Sequence, residues 1–348
     1  MIEIDGSHGE GGGQILRTAL ALSCMFREPF RIINIRRNRQ KPGLGPQHLT
    51  GVRAAQAVSG AQVTGDRTGS MELTFSPGEV KAGDYSFDVG TAGSTLLVLQ
   101  TLLPLLLFAE NRSTVTLTGG THVPFSPSYP YVSGVFTPVL AKLGMEVRLS
   151  IDSYGFYPRG GGKIRAEIGP AGKILPLRMA ERGELLAITG FSAVGRLPRS
   201  IAERQREAAK EKIRSGIGES EVGVRIDLLE APTPGQGTFL FLHAASENAA
   251  AGFTSLGAVG KRAEAVGEEA AAEFLRYHST GSALDPHLPD QIVPYLSLCK
   301  EESFFTTSRI TQHLLTNLWV MGLFHAFTHS IDGEPGRPGS LKIHSKSR

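Results

Sequence analysis

The sequence predicts a mixed α/β fold made of repeated supersecondary units and interrupted by a smaller inserted α/β domain. Three observations point to it. An alternating strand, a glycine turn and a helix of apolar spacing occupy residues 2–25 and recur at 85–108. An offset of roughly 80 residues between such patterns is the mark of a duplicated unit. Finally, residues 183–279 change character, with charged and alanine-rich segments foreign to the repeat.

In order, residues 2–5 alternate as a half-buried strand does, 9–13 form a turn, and 14–25 carry apolar residues at helical spacing. Residues 48–58 read as the second helix of the unit, and 62–63 and 71–75 as short β-branched strands. The second copy runs as strand 85–89, turn 90–93, helix 94–108, strand 114–118, helix 131–143 and strand 146–150. A third copy reads as split. Strands near 156–157 and 162–167 open it, and helices near 290–298 and 312–324 close it. The insert between them shows helices at 200–214 and 261–277 and strands near 222–229 and 238–244. The expected layout is a discontinuous large domain, 1–182 with 280–330, and an inserted domain, 183–279. The tail 331–348 is rich in Gly, Pro, Ser and Lys and is expected to be poorly ordered.

Composition narrows the class. With 348 residues the chain can hold two domains. Its formal net charge of +3 permits a local basic groove but not a generally cationic surface. Cys24 and Cys299 lie in apolar periodic segments, which suits buried free thiols rather than a disulfide or zinc site. The N-terminus has no leader pattern, and the strongest apolar run, 95–109, is too short for a bilayer and contains Gln100 and Pro104. A soluble, cytoplasmic protein with no membrane partner is expected. No pattern in the chain indicates an oligomeric state.

Several segments carry chemistry. S-R-I-T-Q-H-L-L-T-N, 308–317, sets His313 just before an apolar helical run. A neutral imidazole attacks phosphorus near pH 7 without prior deprotonation. Taken alone, His313 would read as a satisfied histidine at a helix start. H-G-E-G-G-G-Q-I-L-R-T, 8–18, exposes backbone amides before a helix, a natural anion site. Glu10 there offers a carboxylate to a hard cation, Mg²⁺ or Mn²⁺. Arg17, one turn on, can face a phosphate. Neither a Walker A nor a dinucleotide pattern fits, because Ile164 follows G-G-G-K and Gln14 stands where the last glycine belongs. The loop 36–49, R-R-N-R-Q-K-P-G-L-G-P-Q-H-L, gathers donors that a dianionic phosphate needs: Arg39, Lys41, Gln47 and His48. A solvated basic loop is the plain alternative. Gln100 interrupts an apolar helix and must find partners there. H-L-P-D-Q, 287–291, starts a helix with Pro289 in the first turn and Asp290 at the electropositive end.

Together these segments resemble the RNA 3'-terminal phosphate cyclases, a family that carries AMP on a histidine. The resemblance extends over nearly the whole chain and is weak only through the insert. It implies three two-helix, four-stranded-sheet units with the smaller domain inserted in the last. It further implies His313 as the nucleophile, and Gln100 with His287, Leu288, Pro289, Asp290 and Gln291 at ATP. Arg39, Gln47 and His48 would hold the RNA 3'-phosphate, beside Arg17. The expected co-substrates are ATP and an RNA with a 3'-terminal phosphate, with Mg²⁺ or Mn²⁺ at Glu10. The expected product is a 2',3'-cyclic phosphate, reached through histidine–AMP and RNA-3'-pp-5'-A. Segments 119–128 and 154–163 also resemble family segments, with His122, Pro127 and Arg159 either shaping turns or bordering the nucleotide. R-I-T-Q before His313 departs from the small residues and cysteine that members often have there, which bears on the pocket's shape. Enolpyruvyl transferases share the repeat, so architecture alone does not fix the chemistry. Non-catalytic relatives in ribosome assembly lack the histidine.

Overall fold

A computed structural model describes residues 1–218 and 222–346. Its first unit runs β1 (Ile2–Asp5), α1 (Gly13–Phe26), β2 (Phe30–Ile33), α2 (Pro46–Ser59), β3 (Gln62–Thr64) and β4 (Leu73–Ser76). The strand order is β1-β2-β4-β3, with β1 and β2 parallel and the other pairs antiparallel. The second unit repeats it: β5 (Asp84–Asp88), α3 (Thr95–Leu107), β6 (Ser113–Gly119), then a helical stretch, then β7 (Val147–Ser153) and β8 (Gly162–Ile168), in the order β5-β6-β8-β7. Its second helix is composite: α4 (Tyr129–Tyr131), a π-helical turn (Val132–Phe136) and α5 (Thr137–Lys142). The third unit begins with β9 (Arg178–Met179), only two residues long.

The insert follows: β10 (Leu185–Gly195), α6 (Arg199–Ile217), β11 (Val224–Glu230), β12 (Gly237–Ser246), β13 (Ala250–Leu256) and α7 (Ala263–His278). Its sheet, β11-β10-β12-β13, has a different connectivity from the repeats. It also has its own core, in which Ile188, Ile213, Leu242 and Phe274 are buried. The backbones of α6 and α7 approach closely at Gly267, where a Cβ would lie 2.1 Å from the Gln205 carbonyl oxygen. The third unit then resumes with α8 (Leu288–Leu296), β14 (Ser303–Thr307), α9 (Gln312–Phe324), β15 (Phe327–Asp332) and β16 (Gly339–Ser345). Read from its β9 edge, the sheet is β9-β14-β16-β15, the order of the other two.

Two expectations are corrected here. Residues 162–167 do not open the third copy; they form β8, which completes the second sheet between β6 and β7. Of residues 156–157, Phe156 makes only isolated bridges, to His122 and Gly160, and Tyr157 lies in a turn. The tail is not disordered through residue 346. β16 pairs with both β14 and β15 and buries Leu341 and Ile343. Its glycine- and serine-rich ends hide a strand that the third sheet needs, since β9 and β14 alone leave the unit half built. Residues 347–348 of that expected tail lie outside the described residues.

The helices of the three units meet centrally. α1 packs on α2, α3 and α9, and α8 packs on α9. α3 is apolar nearly all round, as a helix buried on every side must be. This arrangement gathers the N-termini of α1, α8 and α9, and with them the segments that carry polar chemistry. Among the described residues no helix is long and apolar enough to cross a membrane.

Candidate functional site

α9 starts where it does because Thr311 caps it, its Oγ1 accepting from the Leu314 amide at 3.1 Å. His313 therefore occupies the first turn. Two residues of the glycine segment hold its side chain. Gln14, at the start of α1, donates from Nε2 to the His313 carbonyl at 2.8 Å, and its Oε1 meets His313 Nδ1. Glu10 places Oε2 3.2 Å from His313 Nε2. Burial, helped by Arg17, His287 and Arg39, holds the His313 pKa below the usual imidazole value, although Glu10 opposes this.

The basic loop folds onto the same place. Arg39 donates to the Glu10 carbonyl at 3.2 Å and lies 3.8 Å from its carboxylate. His48 Nδ1 accepts from the Gly45 amide at 3.3 Å, so the neutral ring carries its proton on Nε2. That nitrogen presses on the backbone of Gly13, where a Cβ would lie 2.2 Å away. Glycine is thus required at 13 for the loop to close. Burial and the neighbouring Arg36 and Arg17 push His48 down to about 3, so it stays a neutral donor. Arg17, half-buried, falls to about 10 through burial. Arg17, Arg39, His48 and the free amides at the start of α1 form one positive pocket beside His313.

A narrow cleft continues from it, lined by Gln14, Arg17, Gln100, Asp290, Gln291 and Asn317, with Pro104, Phe136 and Tyr295 as apolar walls. Gln100 donates to Gln291 at 2.8 Å, and Gln291 donates to the His287 carbonyl at 2.8 Å. Thr18 donates to Asn317, whose amide donates to the Asp290 carbonyl at 2.6 Å, tying α1, α9 and α8 together. Burial raises Asp290 to about 8 against the pull of Arg17. Asp285 accepts from the amides of His287 and Leu288 at 2.8 and 3.1 Å and so fixes the start of α8.

The expected residues therefore divide. His313, Glu10, Arg17, Arg39 and His48 converge, and Gln100, Asp290 and Gln291 line the adjoining cleft. Leu288 and Pro289 are buried, and His287 is exposed outside the cleft's lining; of these, the two buried residues build the turn rather than face a ligand. Gln47 accepts through Oε1 from the Ser94 amide at 2.8 Å, which leaves its NH₂ group as the side it could offer a phosphate. Gln14 and Asn317 were not singled out from sequence. Both are polar residues in apolar helices, the signal that identified Gln100. Among the described residues no group of three or more His, Cys, Asp or Glu side chains could form a metal cage. A lone carboxylate still fits Mg²⁺, which keeps waters and takes its other ligands from substrate phosphates.

The chain matches the family model described as RNA 3'-terminal phosphate cyclase over residues 8–331. It is 46% identical over 329 residues to the RNA 3'-terminal phosphate cyclase of Caldivirga maquilingensis, covering 93% of this chain and 92% of that protein. The cyclase of Methylococcus capsulatus is 46% identical, covering 93% and 91%. That of Staphylothermus marinus is 44% identical over 350 residues, covering 99% and 98%. With its fold, its histidine-centred pocket and these relatives taken together, the chain belongs to the RNA 3'-terminal phosphate cyclase family.

Proposed function

We propose that this protein converts an RNA 3'-terminal phosphate to a 2',3'-cyclic phosphodiester at the expense of ATP, with His313 carrying AMP. The observation that carries the proposal is the two-point grip of Gln14 on His313. The His313 carbonyl can only accept, so the amide NH₂ of Gln14 faces it and Oε1 faces the ring. Nδ1 then holds a ring proton, so Nε2 is the nitrogen that can attack once any proton it shares with Glu10, 3.2 Å away, has left. The depressed pKa keeps the Nε2 lone pair free at neutral pH.

In the first step His313 Nε2 attacks the α-phosphorus of ATP, and the bond to pyrophosphate breaks. In the second, an oxygen of the RNA 3'-phosphate attacks the same phosphorus and releases the imidazole, giving RNA-3'-pp-5'-A. In the third, the adjacent 2'-hydroxyl attacks the 3'-phosphorus, AMP leaves, and the hydroxyl proton passes to solvent. Transfer of AMP supplies a good leaving group, and the last step gains from proximity. Arg17, Arg39 and His48 would bind the terminal phosphate as two charged donors and one neutral donor. Gln100, Asp290 and Gln291 would border the nucleotide. Glu10 would hold Mg²⁺ or Mn²⁺, which neutralises triphosphate charge when bound.

The test is incubation of a 3'-phosphorylated oligoribonucleotide with ATP and Mg²⁺. The expected product is an end resistant to phosphatase, formed only with ATP and not from a 3'-hydroxyl RNA. An end that stays phosphatase-sensitive under these conditions contradicts the proposal.

A further inference from the structure

A cavity of about 910 Å³ lies between the second repeated unit and the insert, and the chemistry above does not use it. Its walls come from the loop joining β7 and β8, from α6, from the end of β13 and from the start of α7. Five cationic side chains line it and no carboxylate does. Arg204 and Lys261 are neutralised by Glu264 and Glu269 just outside, and Arg196 donates to the Pro234 carbonyl. Arg159 and Arg262 form no ion pair among the described residues. One belongs to the repeat and the other to the insert. Beside them Tyr157 presents a ring that is 70% exposed, followed directly by Pro158.

The cavity lining includes His122, which is 2% exposed, stacked on Tyr154 and tilted against Phe239. Its Nδ1 lies 2.9 Å from Thr121 Oγ1, which already accepts from the Gly155 amide at 3.0 Å. Thr121 thus occupies Nδ1 and leaves Nε2 as the ring nitrogen in question. Nε2 has no partner. A buried polar atom without a partner is rare in a native fold.

A short chain of contacts links the Arg159 loop of the cavity to the basic loop. Gly160, beside Arg159, sits on the second glycine turn, where a Cβ would meet the Thr91 carbonyl oxygen at 2.6 Å. Gln47 of the basic loop bonds the Ser94 amide of that same turn. Unpaired cations with an exposed ring are how proteins hold single-stranded nucleic acid. Two unpaired cations on different units suit a chain of phosphates better than a single phosphate group. We propose that this cavity binds the stretch of single-stranded RNA that precedes the 3' end, with Arg159 and Arg262 at its phosphates and a base on Tyr157. The proposal rests on the cyclase reading, because it takes the RNA 3' end to lie at the basic loop.

The test measures binding of 3'-phosphorylated RNAs by fluorescence anisotropy to the whole protein, without ATP. A dinucleotide is compared with an oligomer of about twelve nucleotides, a length within the usual single-strand site range. In the wild type the longer RNA should bind more tightly. Arg159→Ala/Arg262→Ala should cut that length advantage about tenfold and shallow its salt dependence by about 1.4 log units per log unit of salt. Tyr157→Ala should cut the advantage without changing the salt slope. A length advantage that survives the double variant overturns the proposal. So does full displacement of the longer RNA from the cavity by free AMP, tested by protection of Arg159→Cys from a thiol reagent. Failure of the cyclase reading is seen separately, as absence of cyclic product from the wild type whatever the RNA length.

Discussion

Replacing Gln14 by Met should slow transfer of AMP from ATP to His313 by about 2- to 30-fold. Met keeps the length and apolar stem of the side chain but has neither amide partner. The variant loses the acceptor on His313 Nδ1 and the donor to the His313 carbonyl. The first loss matters for rate. As Nε2 bonds to phosphorus the ring becomes cationic, and the Nδ1–H bond to Gln14 becomes charge-assisted. Such a bond is worth about 1.5–3 kcal/mol, against about 1 kcal/mol for a neutral one. Only the gain over the ground state, about 0.5–2 kcal/mol, affects the rate, so at about 1.4 kcal/mol per decade the expected loss is about 2- to 30-fold. The assay is single-turnover labelling from α-³²P-ATP with a denaturing quench, on protein whose melting curve shows it folded. A rate within about twofold of the wild type would refute the argument that Gln14 sets the tautomer.

Three further outcomes are expected. Glu10→Ala should chiefly damage labelling of His313, while a chemically made RNA already capped with AMP should still cyclise to some extent; complete loss with binding intact would place Glu10 in the last step as well. Arg39→Ala or His48→Ala should raise the KM for a 3'-phosphorylated RNA about tenfold, as loss of a charge-assisted or buried donor would; wild-type kinetics would remove these residues from the phosphate pocket. Asp290→Asn should become the more stable protein as pH rises from about 4 to about 8. Burial lifts the folded-state pKa of Asp290 to about 8 from 3.8, so its stabilising protonation is complete at low pH and is lost through that window. Stabilities across that range should diverge by up to about 6 kcal/mol, about 1.4 kcal/mol for each pH unit between the two values, and parallel curves would contradict the shift.

Much of the architecture was legible because apolar periodicity and glycine turns mark the first two units directly. The third was harder for physical reasons. Its first strand is two residues long, and an insert with its own core separates that strand from α8. Residues 162–167 alternate like any strand, and nothing local says which sheet they join; pairing with β6 decides it. In β16 only Leu341 and Ile343 carry the burial signal, amid Gly, Ser and Lys. The site shows the same division. His313, Glu10 and the basic loop sit in segments whose composition demands an explanation. Gln14 owes its importance to a carbonyl and a ring 299 positions away, which no local pattern reports. Gln47 gives its side-chain oxygen to the Ser94 amide, a non-local contact that orients its NH₂ donors and that no loop pattern reports.

The central claim is that His313 forms a covalent bond to AMP, and one measurement meets it directly. Protein incubated with α-³²P-ATP and Mg²⁺, then denatured, should retain label that is lost in acid and kept in base, as a phosphoramidate requires. Peptide mapping should place the label on His313, and a folded His313→Ala protein should carry none. Undiminished label in that variant, or none in the wild type, would contradict the account.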